Sequence, residues 1–422
     1  YPEASMAAHL TGFVGKDEQG QDTGYFGLEG SLNKELEGKL QKKHFFTDAL
    51  GNLLGGENNL ETQSLNGRDI VLTIQRDIQF LLESELKNGM ERYGALSGEI
   101  IVLDPETGDL LGLAAFPQYD PEKYYTFPSE LYKNPSLANT YEPGSTFKTL
   151  TVAAGIDAEV ITPETECPNC DGPKTIGKYT VKTWNNEYNP NITMKEALAK
   201  SDNIAMIFIA ETLGVDKFTE YLKKFGIGEE IKIDLQDDTS TPFPKKWGPI
   251  ELATTSFGQG ISTNSLQMVR AVSAIANQGI MMRPKILKEV QDYQSNKTIE
   301  IKPREERKVI SPETAQTMTE LMIHSAKHGE AQWIFKDSHT VAGKTGTSQI
   351  PIKGGYKENA TIASFIGFAP AEKPRFVMLV KLNEPQSSPW AAETAAPLWY
   401  RVAGKLFLLM NIPPDTIASP TP

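Results

Sequence analysis

Gly98-Glu99-Ile100-Ile101-Val102-Leu103, then Asp104-Pro105-Glu106-Thr107-Gly108, then Leu110-Leu111-Gly112-Leu113-Ala114-Ala115-Phe116 set the architecture of the chain. Two apolar runs of strand length around a Pro/Gly turn predict an antiparallel hairpin. Upstream, Ile70-Val71-Leu72 is a short strand-like run. Ile74, Ile78, Leu81, Leu82, Leu86 and Met90 then recur at the spacing of an amphipathic helix. Downstream, residues 117–143 read as a polar, Pro/Tyr-rich loop. A helix is expected over 145–156 and a loop-rich stretch over 160–192. Thr193 and Glu196 fit a capping box. Further helices are expected over 204–213, 265–278 and 312–328. Three β-rich runs follow at 340–347, 362–368 and 376–382, and a helix closes the pattern at 399–410. This order is not an alternating βαβ pattern. It predicts an α+β fold, with an antiparallel sheet fed from both chain ends and helices on both sides.

The chain has 422 residues, enough for two or three domains of about 100–200 residues. Hydrophobic residues make up 39% and charged residues 23%, which excludes disordered and collagen-like chains. The formal net charge is −12, from 42 basic and 54 acidic residues. Without a basic patch there is no footprint for nucleic acid. No run of about 18 apolar residues appears, so no membrane-spanning helix is predicted. The chain opens at Tyr1-Pro2-Glu3 rather than at Met, and we expect an ectodomain separated from an N-terminal anchor. Residues 1–68 are rich in Gly, Asn and Glu, with a short helix expected over 34–43 and an exposed loop over 51–66. A boundary is expected near residue 68. The proline-rich residues 413–422 read as a flexible tail.

Three short motifs stand in order. They are Ser145-Thr146-Phe147-Lys148, Ser201-Asp202-Asn203 and Lys344-Thr345-Gly346-Thr347. Ser-x-x-Lys also occurs at Ser31–Lys34 and Ser84–Lys87, so order and setting carry the weight. Pro143-Gly144 leads sharply into Ser145, which then sits in the first turn of an apolar helix. Free N–H groups there favour a developing anion. Ser145 and Lys148 are i, i+3 neighbours. A serine hydroxyl needs a base to take its proton. Lysine serves only if burial or nearby cations lower its pKa. Ser201 and Asn203 lie between two helical segments and can project into a cleft, with N-capping as the alternative role for Ser201. Glycines flank Lys344 within a strand pattern, which marks close approach by a ligand or another backbone. Lys344 and Thr345 offer positive charge and a hydroxyl to a carboxylate. The N–H groups of Ser145 and Thr347 are candidates for an oxyanion hole.

The trio in this order is the signature of class A β-lactamases and penicillin-binding proteins. The chain resembles a class B penicillin-binding protein, the monofunctional peptidoglycan D,D-transpeptidase family. Further blocks carry the resemblance: Ala8-His9-Leu10-Thr11-Gly12-Phe13-Val14-Gly15, Asp104-Pro105-Glu106-Thr107-Gly108, Phe257-Gly258-Gln259-Gly260 and Phe365-Ile366-Gly367-Phe368-Ala369-Pro370. The opening block looks more like the septal branch than the elongation branch. The resemblance implies a truncated N-terminal pedestal over 1–68 and a transpeptidase domain over 69–412. It implies Ser145 as nucleophile, with Lys148, Ser201, Asn203 and Lys344 as its catalytic partners and Thr345, Gly346 and Thr347 on the substrate. The implied substrates are stem peptides ending in D-Ala-D-Ala, with β-lactams as mimics that acylate Ser145. No cofactor is implied. A membrane glycosyltransferase is the implied partner, at the extracytoplasmic face of a bacterial membrane.

Asp202, in the middle of the second motif, is a choice shared with class A β-lactamases and raises a β-lactam hydrolase as the rival reading. The Glu-x-x-Leu-Asn run of those enzymes is missing between Ser201 and Lys344. A β-lactam-sensing domain and a non-catalytic cell-wall scaffold are further alternatives. Cys167-Pro168-Asn169-Cys170 has no second Cys or His pair nearby, so a local disulfide is expected over a metal, with an unbonded structural pair as the alternative. His324 and His328 are i, i+4 but lack the Glu of a metalloprotease motif. Trp184, Tyr141 and Trp390 are candidates to line the cleft.

Overall fold

The computed structural model describes residues 1–40, 64–236, 240–241, 243–292, 295–335 and 338–415. Its centre is an antiparallel sheet of five strands sandwiched between helices. Helix α1 (Arg76–Tyr93) leads into β1 (Ser97–Leu103) and β2 (Leu110–Phe116). Helices α2 (Lys148–Asp157), α3 (Asn203–Lys224), α4 (Ser265–Ala276) and α5 (Pro312–His328) follow. The chain then returns through β3 (Ala342–Ile352), β4 (Gly355–Ala369) and β5 (Phe376–Asn383), and ends in α6 (Ala395–Leu409).

The sheet order is β3-β4-β5-β1-β2, so both chain ends feed one sheet. The seam is the pairing of β5 with β1, from Val377 opposite Leu103 to Asn383 opposite Ser97. Side chains alternate between the faces of a strand. Ile100 and Val102 therefore join the core beneath α1 and α6, while Ile101 and Leu103 join the core beneath α2 to α5. Burial on both faces explains why these strands read as continuous apolar runs rather than as polar/apolar alternation.

The expected α+β class and two-sided sheet are what the structure has. Several elements differ from expectation. The helix expected over 145–156 begins as a 3-10 turn, Gly144–Phe147, before α2. The helix expected over 204–213 continues to Lys224 across a kink at Gly214, where φ is 75°. Helix Pro249–Ser256 was not expected. The loop over 117–143 contains 3-10 turns at Pro121–Thr126 and Ser129–Leu131 and a short helix, Pro135–Ala138. The stretch 160–192 carries a small hairpin, Lys174–Ile176 with Tyr179–Val181, and the Cys167–Cys170 disulfide. The Thr193 hydroxyl accepts from Glu196 N, but the Glu196 carboxylate pairs with His324 at 2.8 Å, so the box is half built. His324 also packs on His328, with ring centroids 4.5 Å apart.

At the N-terminus, Phe13 lies in a small hairpin, Phe13–Lys16 with Asp22–Tyr25, and stacks on Tyr124 at 4.0 Å. Of the helix expected over 34–43, the turn Asn33–Leu36 is helical, and Lys39–Leu40 pairs as a strand with Ser64–Leu65. Residues 41–43, most of the loop expected over 51–66 and the tail beyond 415 lie outside the described residues. Among the described residues no helix is long and apolar enough to cross a membrane.

Candidate active site

The three motifs converge on one cleft. Ser145 occupies the 3-10 turn that starts α2, and the turn is held from outside. Gly144 N donates to Gly258 O at 3.0 Å, and Gly258 has φ 79°. A β-carbon on Gly258 would lie 2.2 Å from Gly144 O, so only glycine fits this approach. One turn on, Lys148 points inward and is fully buried.

The second motif meets it there. Lys148 Nζ donates to Ser201 O at 2.5 Å and to Ser201 Oγ at 3.1 Å. Ser201 takes φ 59°, a left-handed conformation that costs a β-carbon-bearing residue about 1–2 kcal/mol. The middle residue, Asp202, caps α3 by accepting from Ile204 N and Ala205 N. Asn203 Nδ2 donates to Lys182 O at 2.8 Å, and both residues line the cleft. Among the described residues the Ser145 hydroxyl makes no hydrogen bond in this state, and Lys148 is engaged by Ser201 instead.

The third motif lies on β3, an edge strand of the sheet. An edge leaves one row of backbone donors and acceptors without sheet partners. Gly346 faces the serine turn: a β-carbon there would sit 2.7 Å from Thr146 Cγ2 and 2.8 Å from Ser364 Oγ. Lys344 is buried, and its Nζ donates to Thr345 O and Oγ1, each at 3.2 Å. Thr345 is almost fully buried. Thr347 lines the cleft, and its hydroxyl oxygen accepts from Ala391 N at 3.1 Å, leaving its proton to donate elsewhere.

The cleft has a volume of about 940 Å³. Trp184 and Trp390 line it and meet edge to face, with ring centroids 5.3 Å apart. Tyr141 does not line it. That ring is buried beneath the Lys381 ammonium, 4.3 Å away. Burial and then the neighbouring Lys344 charge pull the Lys148 pKa down to about 7. Burial also lowers the Lys344 pKa, against the pull of Glu330. The site thus holds an exposed-side hydroxyl, a buried amine poised to take a proton near neutral pH, and a second buried lysine.

Residues 98–403 match the family described as "Penicillin binding protein transpeptidase domain". The chain belongs to this family. It is 34% identical over 403 residues to Stage V sporulation protein D of Bacillus subtilis, covering 94% of this chain and 62% of that protein. It is 28% identical to the peptidoglycan D,D-transpeptidase FtsI of Escherichia coli, covering 99% of this chain and 68% of that protein. A crystal structure of Mycobacterium tuberculosis penicillin binding protein 3 complexed with aztreonam matches with a TM-score of 0.84 and 28% identity, over 99% of this chain and 91% of the other.

Two residues of the site carry no sequence signal. The Glu330 carboxylate accepts the Thr345 hydroxyl at 2.7 Å. The Glu142 carboxylate accepts from Gly260 N at 3.0 Å and from the Tyr356 hydroxyl at 3.2 Å, tying the approach to Ser145 to the glycine turn and to β4. Glu330 lies outside every motif, and only tertiary packing brings it to Lys344. Glu142 sits three residues before Ser145, but the sequence does not show what its carboxylate meets.

Proposed function

We propose that the chain is a peptidoglycan D,D-transpeptidase acting through a serine acyl-enzyme. The observation that carries the reading is the Lys148 amine, fully buried at a cleft serine and held by neutral oxygens of Ser201. Lys148 takes the proton of Ser145 as Oγ attacks the carbonyl carbon of the penultimate D-Ala. The backbone N–H groups of Ser145 and Thr347 receive the oxyanion. When the tetrahedral intermediate collapses, the C–N bond breaks. Ser201 passes the proton to the leaving nitrogen, and D-Ala departs. An amine of a second stem peptide then attacks the ester carbonyl and gives its proton to Lys148; as the C–Oγ bond breaks, Lys148 returns that proton to Ser145 Oγ and the new amide departs. Asn203 orients the peptide. Lys344 supplies charge and Thr347 a hydroxyl for the terminal carboxylate, Thr345 holds Lys344 through its own hydroxyl oxygen, and Gly346 lets the strand lie close to it. β-Lactams enter the same path and stop at the ester.

The reading extends to the rest of the chain. We assign 69–412 to the transpeptidase unit, 1–68 to a pedestal-like region and 413–422 to a tail. Its substrate lies outside the cell membrane, so the activity belongs at the extracytoplasmic face, beside a glycosyltransferase that makes the strands. Asp202 gives no support to a hydrolase, because its carboxylate is committed to capping α3.

The test supplies a stem-peptide analogue ending in D-Ala-D-Ala, with and without an acceptor amine. Release of D-Ala with an amine-dependent cross-linked product is expected. Rapid turnover of penicillin without cross-linked product would overturn the reading in favour of a lactamase.

A further inference from the structure

Lys148 and Lys344 lie in one buried site, and the Lys344 charge lowers the tendency of Lys148 to hold a proton. Their hydrogen-bond partners differ. Lys148 donates to two neutral oxygens, Ser201 O and Oγ. Lys344 donates to Thr345 Oγ1 at 3.2 Å, and Thr345 Oγ1 donates to Glu330 Oε2 at 2.7 Å. An ionised carboxylate only accepts, so the hydroxyl proton points at Glu330 and its lone pairs are left for the Lys344 ammonium. One lysine is therefore wired to a negative charge and the other is not.

We propose that Glu330 is a positioning residue that divides the work between the two lysines: through Thr345 it holds Lys344 as the cation and leaves Lys148 as the neutral base. The inference rests on the reading of Ser145 as nucleophile and Lys148 as its base. The same link turns the Thr345 proton away from the cleft, so in the unliganded site the Thr347 hydroxyl is the donor free to meet a substrate carboxylate. The charged and titratable groups around Glu330 are Lys344 on β3, Lys148 on α2, Asp202 at the head of α3, Lys200 just before it, His328 at the end of α5 and Glu187 across the same recess. Asp202 is held by backbone N–H groups. Glu330 is the carboxylate wired through Thr345 to Lys344.

The sign of the effect follows. The Glu330 charge raises the proton affinity of both lysines. Removing it lowers both. Acylation rises with pH as Lys148 loses its proton and falls as Lys344 loses its own, so both limbs of the profile move to lower pH, the falling limb further, because Lys344 is the lysine joined to Glu330 through Thr345.

The experiment measures the rate of acylation by a fluorescent penicillin against pH, with thermal unfolding recorded for each variant. In Glu330→Gln the falling limb is expected about one pH unit lower than in the unaltered chain, and the rising limb lower by less. Glu330→Ala shifts them the same way, and Glu330→Asp leaves them near their original positions. Limbs that stay in place in Glu330→Gln and Glu330→Ala, whatever the drop in rate, overturn the proposal and reduce Glu330 to a packing role. If the unaltered chain takes no label at Ser145, the functional reading itself falls, and this inference with it. The two failures are thus distinguishable.

Discussion

Ser201 illustrates how the site is built from single residues. Its left-handed backbone aims both its carbonyl and its hydroxyl at Lys148. Full burial and then the neighbouring Lys344 charge pull the Lys148 pKa down to about 7, where an exposed lysine would stay charged. The acylation rate is therefore expected to rise with pH through about 7, and stopped-flow labelling with a fluorescent penicillin checks it. Lys148→Ala should slow acylation by at least about two decades, the size of a lost general base. The three motifs were legible in the sequence because together, in this order, they match a known signature. Glu330 was not, since only packing of the α5–β3 connection against β3 brings it to Thr345. Tyr141 misled for a related reason: three residues after it the chain enters the cleft, but its own ring turns inward under Lys381.

At the scale of elements, the cleft depends on β3 lying close against the serine turn. Gly346 permits that approach. Gly346→Ala places a methyl 2.7 Å from Thr146 Cγ2 and 2.8 Å from Ser364 Oγ. Overpacking of this kind costs about 1–3 kcal/mol, to be read from urea unfolding, and acylation should slow because the strand is pushed from Ser145. The elements legible from sequence were those with a helical apolar repeat, such as α1 and α5, or an unbroken apolar run, such as β1 and β2. Helix Pro249–Ser256 was missed because it is short and follows a Pro/Lys-rich stretch. Its available signal was Pro249 at the first helical position with Glu251 reaching back to Gly248 N at 3.0 Å. The beginning of β4 was missed because 355–359 is largely polar and exposed, with no alternating pattern to read.

Across the whole molecule, the sheet joins strands from distant parts of the chain, and a buried ion pair sits on that seam. Lys381 Nζ on β5 meets Glu99 Oε1 on β1 at 2.7 Å, and Ser136 Oγ donates to the other Glu99 oxygen at 2.9 Å. Lys381 also covers the Tyr141 ring, four residues before Ser145. Lys381→Met leaves the Glu99 carboxylate buried without a counter-charge and should cost about 3–5 kcal/mol in urea unfolding. Replacing both partners with apolar residues of similar volume should recover most of that loss. The α+β order was legible because the apolar runs cluster at the two ends of the pattern. Which strands meet at the seam, and in what register, was not, since strand pairing over such a separation leaves no local trace.

All three scales meet at Ser145, and intact-mass spectrometry after brief exposure to penicillin tests it most directly. The account predicts a single long-lived adduct that maps to the peptide carrying Ser145 and is lost in Ser145→Ala. An adduct that persists in Ser145→Ala, or one that is hydrolysed as fast as it forms, would contradict it.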